Sequence, residues 1–187
     1  MHIAIAFPVV ALATLAIAPA QAGEPGDFDA APFGIASLVG ADSATPTYAP
    51  HLVDGRDDTA VNVPAGGWIQ VEWQHPRDIH LVRLIFPDKA PPAENITLKY
   101  WYNVWPDNGG GGWMKVDDPF RGGFVVAAAE ATLAGANTLE FRFKPLDKVE
   151  NPKIKETGFN WRRTYRIAAS FKIPTRIAEV ECVTDSR

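Results

Sequence analysis

The chain has 187 residues, of which 47% are hydrophobic and 21% are charged. This length and composition suit one packed domain, and they argue against a disordered chain or two full-sized domains. The formal net charge is −4, from 18 Lys and Arg against 22 Asp and Glu. A nucleic-acid-binding protein would carry a basic surface, so no nucleic-acid partner is expected. The one cysteine, Cys182, excludes an intramolecular disulfide.

Residues 1–22 have the pattern of a secretory signal peptide. The segment from Ile3 to Ile17 is almost wholly apolar, and Ala20-Gln21-Ala22 provides the small residues that signal peptidase recognises. The apolar run is shorter than the roughly 20 residues that a transmembrane helix needs. We therefore expect cleavage after Ala22, a secreted or periplasmic protein, and no membrane partner.

The rest of the chain reads as strands. Residues 23–34 are rich in Gly, Pro, Asp and Ala and predict a flexible lead-in to a domain at 35–184, with a tail at 185–187. Alternating runs bounded by turn residues predict at least six strands: Trp68–Trp73, Ile79–Phe86, Ile96–Trp105, Leu139–Lys144, Tyr165–Phe171 and Arg176–Val183. The one helical candidate is Val125–Leu133, which is rich in alanine. This pattern predicts an all-β sandwich or jelly roll.

Three segments occur in an order that resembles a known family. They are Leu52-Val-Asp-Gly-Arg-Asp-Asp-Thr59, Trp68-Ile-Gln-Val-Glu72 and Arg176-Ile-Ala-Glu-Val-Glu181. Together they resemble the discoidin domain, also called the coagulation factor V/VIII C-terminal type domain, of the galactose-binding-like superfamily. The resemblance covers about residues 35–184, and it implies a jelly-roll β-sandwich of about eight antiparallel strands.

The chain departs from that family at positions that matter for galactose. Val61 stands where the family usually has Trp, Asn62 where galactose-binding members often have His, and Pro87-Asp88 where they often carry Arg. The resemblance therefore implies the fold but not a specificity for galactose.

The resemblance also implies a structural calcium site. In calcium-binding relatives, the Asp of the Asp-Gly pair, the following Thr and the first Glu of the last strand bind the ion together with main-chain carbonyls. Such oxygen ligands suit Ca²⁺. The corresponding positions here are the side chains of Asp54, Thr59 and Glu179 and the carbonyls of His51, Arg56 and Ala178. The alternative is that Asp54 only caps its own turn and Glu179 pairs with Arg56 or Arg176 at the surface.

Aromatic side chains provide the candidates for ligand binding. In Ile96–Trp105 the aliphatic positions share one face of the strand, and Trp101 and Trp105 lie on the other. Exposed rings suit the apolar face of a pyranose, unless the lead-in or residues 151–161 cover them as ordinary packing. The polar loop 147–163 ends in further candidates for a sugar or an anion, Asn160, Trp161 and Arg162, unless it is only a solvated loop. Trp113 is expected in the core, as in the family.

The sequence indicates binding and not catalysis. It has no zinc-binding His spacing, nucleophile elbow or phosphate-binding loop. We expect an exported, non-catalytic module that recognises a glycan through loops and exposed aromatics at one end of a β-sandwich. Two alternatives stay open: an accessory piece of a larger secreted glycoside hydrolase, and a protein or cell-surface adhesion module. The identity of the ligand and the oligomeric state do not follow from the sequence.

Overall fold

The computed structural model describes residues 27–43, 45–103, 111–117, 127–144 and 163–185. In these residues every strand pairing is antiparallel, and three short 3₁₀ turns occur at Ala31–Phe33, Pro50–Val53 and Ala93–Asn95. The strands are β1 Asp27–Asp29, β2 Ile35–Val39, β3 Thr47–Tyr48, β4 Val61–Val63, β5 Trp68–Ile85, β6 Ile96–Asn103, β7 Gly111–Lys115, β8 Ala129–Leu133, β9 Thr138–Phe143, β10 Arg163–Phe171, β11 Thr175–Ile177 and β12 Glu179–Asp185. The prediction of an all-β, antiparallel fold is confirmed.

Two sheets share the 18-residue strand β5. Its first part pairs with β2 and β10, and the sheet continues from β10 to β6 and β7. Its last part pairs with β9 and β12, and the second sheet adds β8 and β1 at its edges. We call these the β6 sheet and the β12 sheet. One strand therefore holds both layers of the sandwich together.

The core lies between the two sheets. In the central strands β5, β6, β9, β10 and β12, alternate side chains are apolar and buried, as the period of a β-strand requires. The β6 sheet contributes Ile69, Val71, Leu98 and Ile167, and the β12 sheet contributes Val82, Leu84, Phe141 and Val180, all of them buried. The buried thiol of Cys182 belongs to the same cluster.

A small third pairing marks one end of the sandwich. Strand β4 pairs with β11, and residues 64–67 hydrogen-bond to Phe171 at the end of β10. The same end holds the turn at residues 54–59, because Gly55 contacts Glu179 at the start of β12. We call this the turn-rich end, and it lies opposite the bend of β5 near residues 73–78.

The lead-in was predicted to be flexible, and from Asp27 onward this is wrong. Strand β1 pairs with β12, and Ala30 and Ala31 are fully buried. The Asp29 carboxylate links this segment to β12. Its Oδ1 accepts hydrogen bonds from the N–H groups of Ala31 at 2.9 Å and Cys182 at 2.7 Å. A half-buried acceptor that is paired twice makes this short strand part of the fold.

Two predicted element boundaries also need correction. The helix at Val125–Leu133 is wrong where the chain is described, because Ala129–Leu133 is strand β8, paired with β9. Cross-strand pairing outweighs the weak helical preference of alanine here. The two strands predicted on either side of Pro76 are one continuous strand. Proline is tolerated because the pairing of β10 with β5 is irregular at this point, between Thr164 and Arg166.

Candidate functional site

The outer face of the β6 sheet carries the first group of candidate residues. In β6, Ile96, Leu98 and Tyr100 are buried, whereas Lys99 and Trp101 are only half-buried. The predicted division of this strand into a core face and an outer face is thus confirmed for these positions. Trp101 therefore lies on the outer face of the β6 sheet, opposite the core.

Trp101 is part of a compact cluster formed across four strands. Its direct partner on β7 is Trp113, and the two rings meet edge to face, with centroids 5.5 Å apart and planes at 87°. The Arg166 guanidinium of β10 lies over the Trp101 ring, 4.4 Å from its centroid. Arg166 also pairs with Glu72 of β5 at 2.9 Å. We call these four residues the aromatic cluster.

The physical character of the aromatic cluster suits binding of a polar ligand that has an apolar face. Two perpendicular indole rings form the walls of a corner, and edge-to-face packing holds them there. The guanidinium of Arg166 has five N–H donors, so donors remain for a ligand while one of them serves Glu72. Its contact with the Trp101 ring is a cation–π interaction, which fixes the position of the donors.

A second cation lies on the same face. The Lys99 ammonium sits 5.0 Å from the centroid of the Trp68 ring. Burial lowers the pKa of Lys99, and the charge of Lys115, its direct partner on β7, lowers it further. Between β5 and β6 the residues of β10 on this face are small, Ala168 and Ser170, so the Lys99 chain has room to lie across them.

The structure corrects one prediction at this site. Trp113 was assigned to the core, but it is half-buried and lies on the outer face beside Trp101, while its neighbour Met114 packs against the core. Sequence reasoning also missed Arg166, which is next to Trp101 only because β10 pairs with β6. The candidates Trp105, Asn160, Trp161 and Arg162 lie outside the described residues.

The turn at residues 54–59 brings together most of the candidate calcium ligands. Asp54 accepts a hydrogen bond from the Arg56 N–H at 3.0 Å through Oδ1, and its Oδ2 lies 3.2 Å from His51 Nδ1. The Thr59 hydroxyl donates to the Arg56 carbonyl at 3.2 Å. The Gly55 N–H donates to Glu179 Oε1 at 3.2 Å, and this conformation needs glycine because its φ is +74°.

Glu179 is the unusual member of this group. Its side chain is buried, with 4% exposure, and its Oε2 atom has no hydrogen-bond partner. Burial and, less strongly, the Asp54 carboxylate raise its pKa from 4.5 to about 7, against the opposing effect of the Gly55 N–H. An unpaired buried carboxylate oxygen is costly unless a proton or a cation neutralises it.

These side chains carry oxygen atoms of the kind that binds calcium. Ca²⁺ takes six to eight oxygens from carboxylates, hydroxyls and carbonyls, and the Glu179 Oε2 atom is available to it. Within the described part of the chain no three His, Cys, Asp or Glu side chains come close enough to hold a metal ion by themselves. A site here would therefore depend on main-chain carbonyls such as those of His51, Arg56 and Ala178. Ala178, just before Glu179, is fully buried.

The alternative to a calcium site has two parts: Asp54 caps its own turn, and Glu179 pairs with Arg56 or Arg176 at the surface. Asp54 does cap its own turn, through the Arg56 N–H. Glu179, however, does not lie at the surface beside an arginine. Arg56 pairs with Asp58 at 2.8 Å, and Arg176 lies 3.4 Å from Asp88.

A shallow cavity of about 220 Å³ opens at the turn-rich end. It lies between residues 86–91 and 173–176, with Asp88, Lys89 and Arg176 as its charged groups. Asn62 is the direct partner of Arg176 in the β4–β11 pair. Asn62 and Asp88 are two of the positions at which the sequence departs from the galactose-binding pattern, and both lie next to Arg176. The guanidinium at this cavity is therefore that of Arg176, on β11.

Comparison with known proteins returns matches only among solved structures: no family model and no curated protein matches the chain. A chitosan-binding module of a chitosanase/glucanase from Paenibacillus sp. IK-5 is 14% identical, with 82% of this chain and 97% of that chain covered and a TM-score of 0.48. A fucose-binding module from Streptococcus pneumoniae is 14% identical, with coverages of 86% and 97% and a TM-score of 0.47. An F5/8 type C domain from Bacteroides fragilis is 10% identical, with coverages of 87% and 97% and a TM-score of 0.47.

Proposed function

We propose that this protein is a non-catalytic module that binds a glycan at the aromatic cluster. The observation that carries the proposal is the edge-to-face pair of Trp101 and Trp113, with the Arg166 guanidinium stacked on one of the rings. Indole rings pack against the apolar face of a pyranose, and a guanidinium donates hydrogen bonds to the hydroxyl groups at its rim. The strands on both sides hold these side chains in place before a ligand arrives.

The arrangement of charges supports binding without hydrolysis. A glycosidase needs two carboxyl groups on opposite sides of the scissile bond. Among the four residues of the aromatic cluster, Glu72 carries the one carboxyl group, and it forms an ion pair with Arg166 at 2.9 Å. The cluster is therefore suited to holding a sugar and not to acid–base chemistry.

A glycan-array screen with matched variants tests this proposal. We expect hits with the wild-type protein that are lost in Trp101→Ala and in Trp113→Ala. Leu133→Ala is the matched control, because Leu133 is 60% exposed on β8 in the β12 sheet, so its loss should leave the hits unchanged. If both tryptophan variants keep the hits and Arg176→Ala loses them, the glycan binds in the cavity at the turn-rich end and not at the aromatic cluster. A blank array with folded wild-type protein would contradict the proposal.

We also propose that the turn at residues 54–59 binds Ca²⁺ in a structural role. Asp54, Thr59 and Glu179 would supply side-chain oxygens, and His51, Arg56 and Ala178 would supply carbonyls. The ion would offset the charge of the buried Glu179 carboxylate and tie β12 to the turn. We expect a thermal midpoint that rises with CaCl₂ and falls with chelator in the wild-type protein but not in Asp54→Ala. A midpoint that does not respond to either would contradict the site.

We further propose that the protein is exported and begins at Gly23 after cleavage. The support is the apolar leader with Ala20-Gln21-Ala22 at its end. Among the described residues no helix is long and apolar enough to span a membrane. Intact-mass measurement of the secreted protein tests the cleavage position. A mass that still includes residues 1–22 would contradict it.

One observation favours a second function, adhesion to a protein. Phe33, Ile35 and Tyr48 are 61–71% exposed, and Phe28 meets Phe33 edge to face at 6.3 Å. These residues follow one another along β1–β3 at the edge of the sandwich. Apolar side chains exposed together mark interaction surfaces more often than single ones do. Loss of binding to whole cells in Phe33→Ser with an unchanged glycan array would favour this function.

A further inference from the structure

One row of side chains crosses the outer face of the β6 sheet from β2 to β7. The register places Ile35 opposite Glu72, Glu72 opposite Arg166 and Trp101 opposite Trp113. Arg166 joins the two halves of the row, because its guanidinium lies over the Trp101 ring. Direct partners in a sheet point to the same face, so Ile35 continues the line of the aromatic cluster onto β2.

The β2 end of the row carries exposed apolar side chains. Ile35 is 61% exposed, and Tyr48, on the neighbouring strand β3, is 69% exposed and is the direct partner of Ser37. Both belong to the outer face, because Ala36 and Leu38, which alternate with Ile35 and Ser37, pack in or against the core. Apolar surface therefore stands at both ends of the row, with the two indole rings at the other end.

The middle of the row carries polar groups. Glu72 and Arg166 pair at 2.9 Å, and their side chains are 39% and 32% exposed. Because the two charges compensate each other, the row offers hydrogen-bonding groups without an unpaired charge. The buried Thr164 hydroxyl fixes the backbone here, since it accepts hydrogen bonds from the N–H groups of Trp101 and Arg166, both at 3.2 Å.

The length of the row exceeds what one sugar can cover. Neighbouring strands lie about 4.8 Å apart, so the four steps from β2 to β7 span about 19 Å, and the step to β3 brings this to about 24 Å. A single sugar ring on the indole pair would leave Ile35 and Tyr48 uncovered. A chain of sugars presents apolar ring faces and hydroxyl groups along its whole length, which matches apolar ends and a polar middle.

We infer that the glycan bound at this face is a neutral, extended β-1,4-linked polysaccharide chain that crosses the strands from the indole rings to Ile35 and Tyr48. The pair of Glu72 and Arg166 contacts its hydroxyl groups in the middle of the row. The β-1,4 linkage keeps such a chain extended, so successive rings follow a straight row. The inference rests on the proposed glycan-binding function and adds the class of glycan.

The test measures affinity against chain length. The probes are the di-, tetra- and hexasaccharides of the cello-, manno- and xylo-oligosaccharide series, titrated into the full-length protein by isothermal calorimetry. In at least one series we expect the hexasaccharide to bind at least about tenfold more tightly than the disaccharide, because burying one further large apolar side chain contributes about this factor.

Matched variants locate the two ends of the chain. The double variant Ile35→Ala/Tyr48→Ala should reduce the affinity for the hexasaccharide to nearly that for the disaccharide, with the affinity for the disaccharide unchanged. Trp113→Ala should weaken the binding of every length. Leu133→Ala is the control, because Leu133 is equally exposed but lies on β8 in the β12 sheet, and it should change no affinity.

The other outcomes contradict the inference, and they separate it from the proposed function. Equal affinities for all lengths that are lost in Trp113→Ala would show a site for a single sugar, so glycan binding would stand and the extended chain would be wrong. A length dependence that persists in Ile35→Ala/Tyr48→Ala would mean that the chain does not follow this row. If no probe binds but the glycan array gives hits that need Trp101, the class of glycan is wrong and the site is right. Absence of binding to any glycan would reject both proposals.

Discussion

Replacing Glu179 by glutamine measures how much the buried charge of Glu179 lowers the free energy of unfolding. The folded protein holds the Glu179 proton with a pKa of about 7, whereas an unfolded chain has the ordinary 4.5. Between these values the native state binds more protons than the unfolded state does, so the free energy of unfolding must fall as the pH rises from about 4.5 to 7. The shift corresponds to at most about 3 kcal/mol, which is a change of roughly 6–12 °C in thermal midpoint for a domain of this size.

The assay is urea unfolding followed by tryptophan fluorescence between pH 4.5 and 8, in chelator. Because glutamine stays neutral, Glu179→Gln should lose most of this pH dependence and should be more stable than wild type at pH 8. Every other group in the chain is common to both proteins, so its contribution cancels in the difference. Glu130→Gln is the matched control, since Glu130 is exposed on β8. The reasoning is refuted if wild type and Glu179→Gln show the same slope, or if the variant is the less stable at pH 8.

Three further changes probe how the fold is held together, each measured by thermal or urea unfolding. Asp29→Ala leaves two buried N–H groups without their acceptor and should cost about 2–4 kcal/mol; wild-type stability would show that β1 is dispensable. Gly34→Ala places a Cβ 2.6 Å from a core side chain and should cost about 1–3 kcal/mol, whereas Gly112→Ala, with open space around it, should be nearly neutral. Trp73→Phe removes the 2.7 Å hydrogen bond to the Ala30 carbonyl and should cost about 1–3 kcal/mol, and an unchanged midpoint would mean that water replaces the donor.

Local patterns in the sequence predict those features of the fold that depend only on residues close together in the chain. The alternation of Ile96, Leu98 and Tyr100 with Lys99 and Trp101 is sufficient to assign the two faces of β6, because a strand has a period of two. Burial of the last strand follows from its apolar positions in the same way. The antiparallel sandwich follows from the many short runs and their turns.

The aromatic cluster could not be predicted in full, because it depends on strand order and register. Arg166 is 65 positions from Trp101, and no local signal says that β10 lies beside β6. The family resemblance predicts Trp113 in the core, whereas the register of β7 with β6 pairs it with Trp101 on the outer face, and a one-residue change of register exchanges the two faces of a strand. The contact of Gly55 with Glu179 spans 124 positions, and only the family resemblance brought Glu179 together with this turn, through Asp54.

The shared strand β5 has a consequence for how the protein comes apart. Because it pairs with β2 and β10 in one sheet and with β9 and β12 in the other, neither layer can open without losing partners on this strand. Amide protons along Trp68–Val71 and Leu81–Ile85 should therefore exchange with solvent through the same global event and at a similar rate. We therefore expect no half-unfolded state in which one sheet survives alone, and a ligand bound on one face should stabilise both sheets.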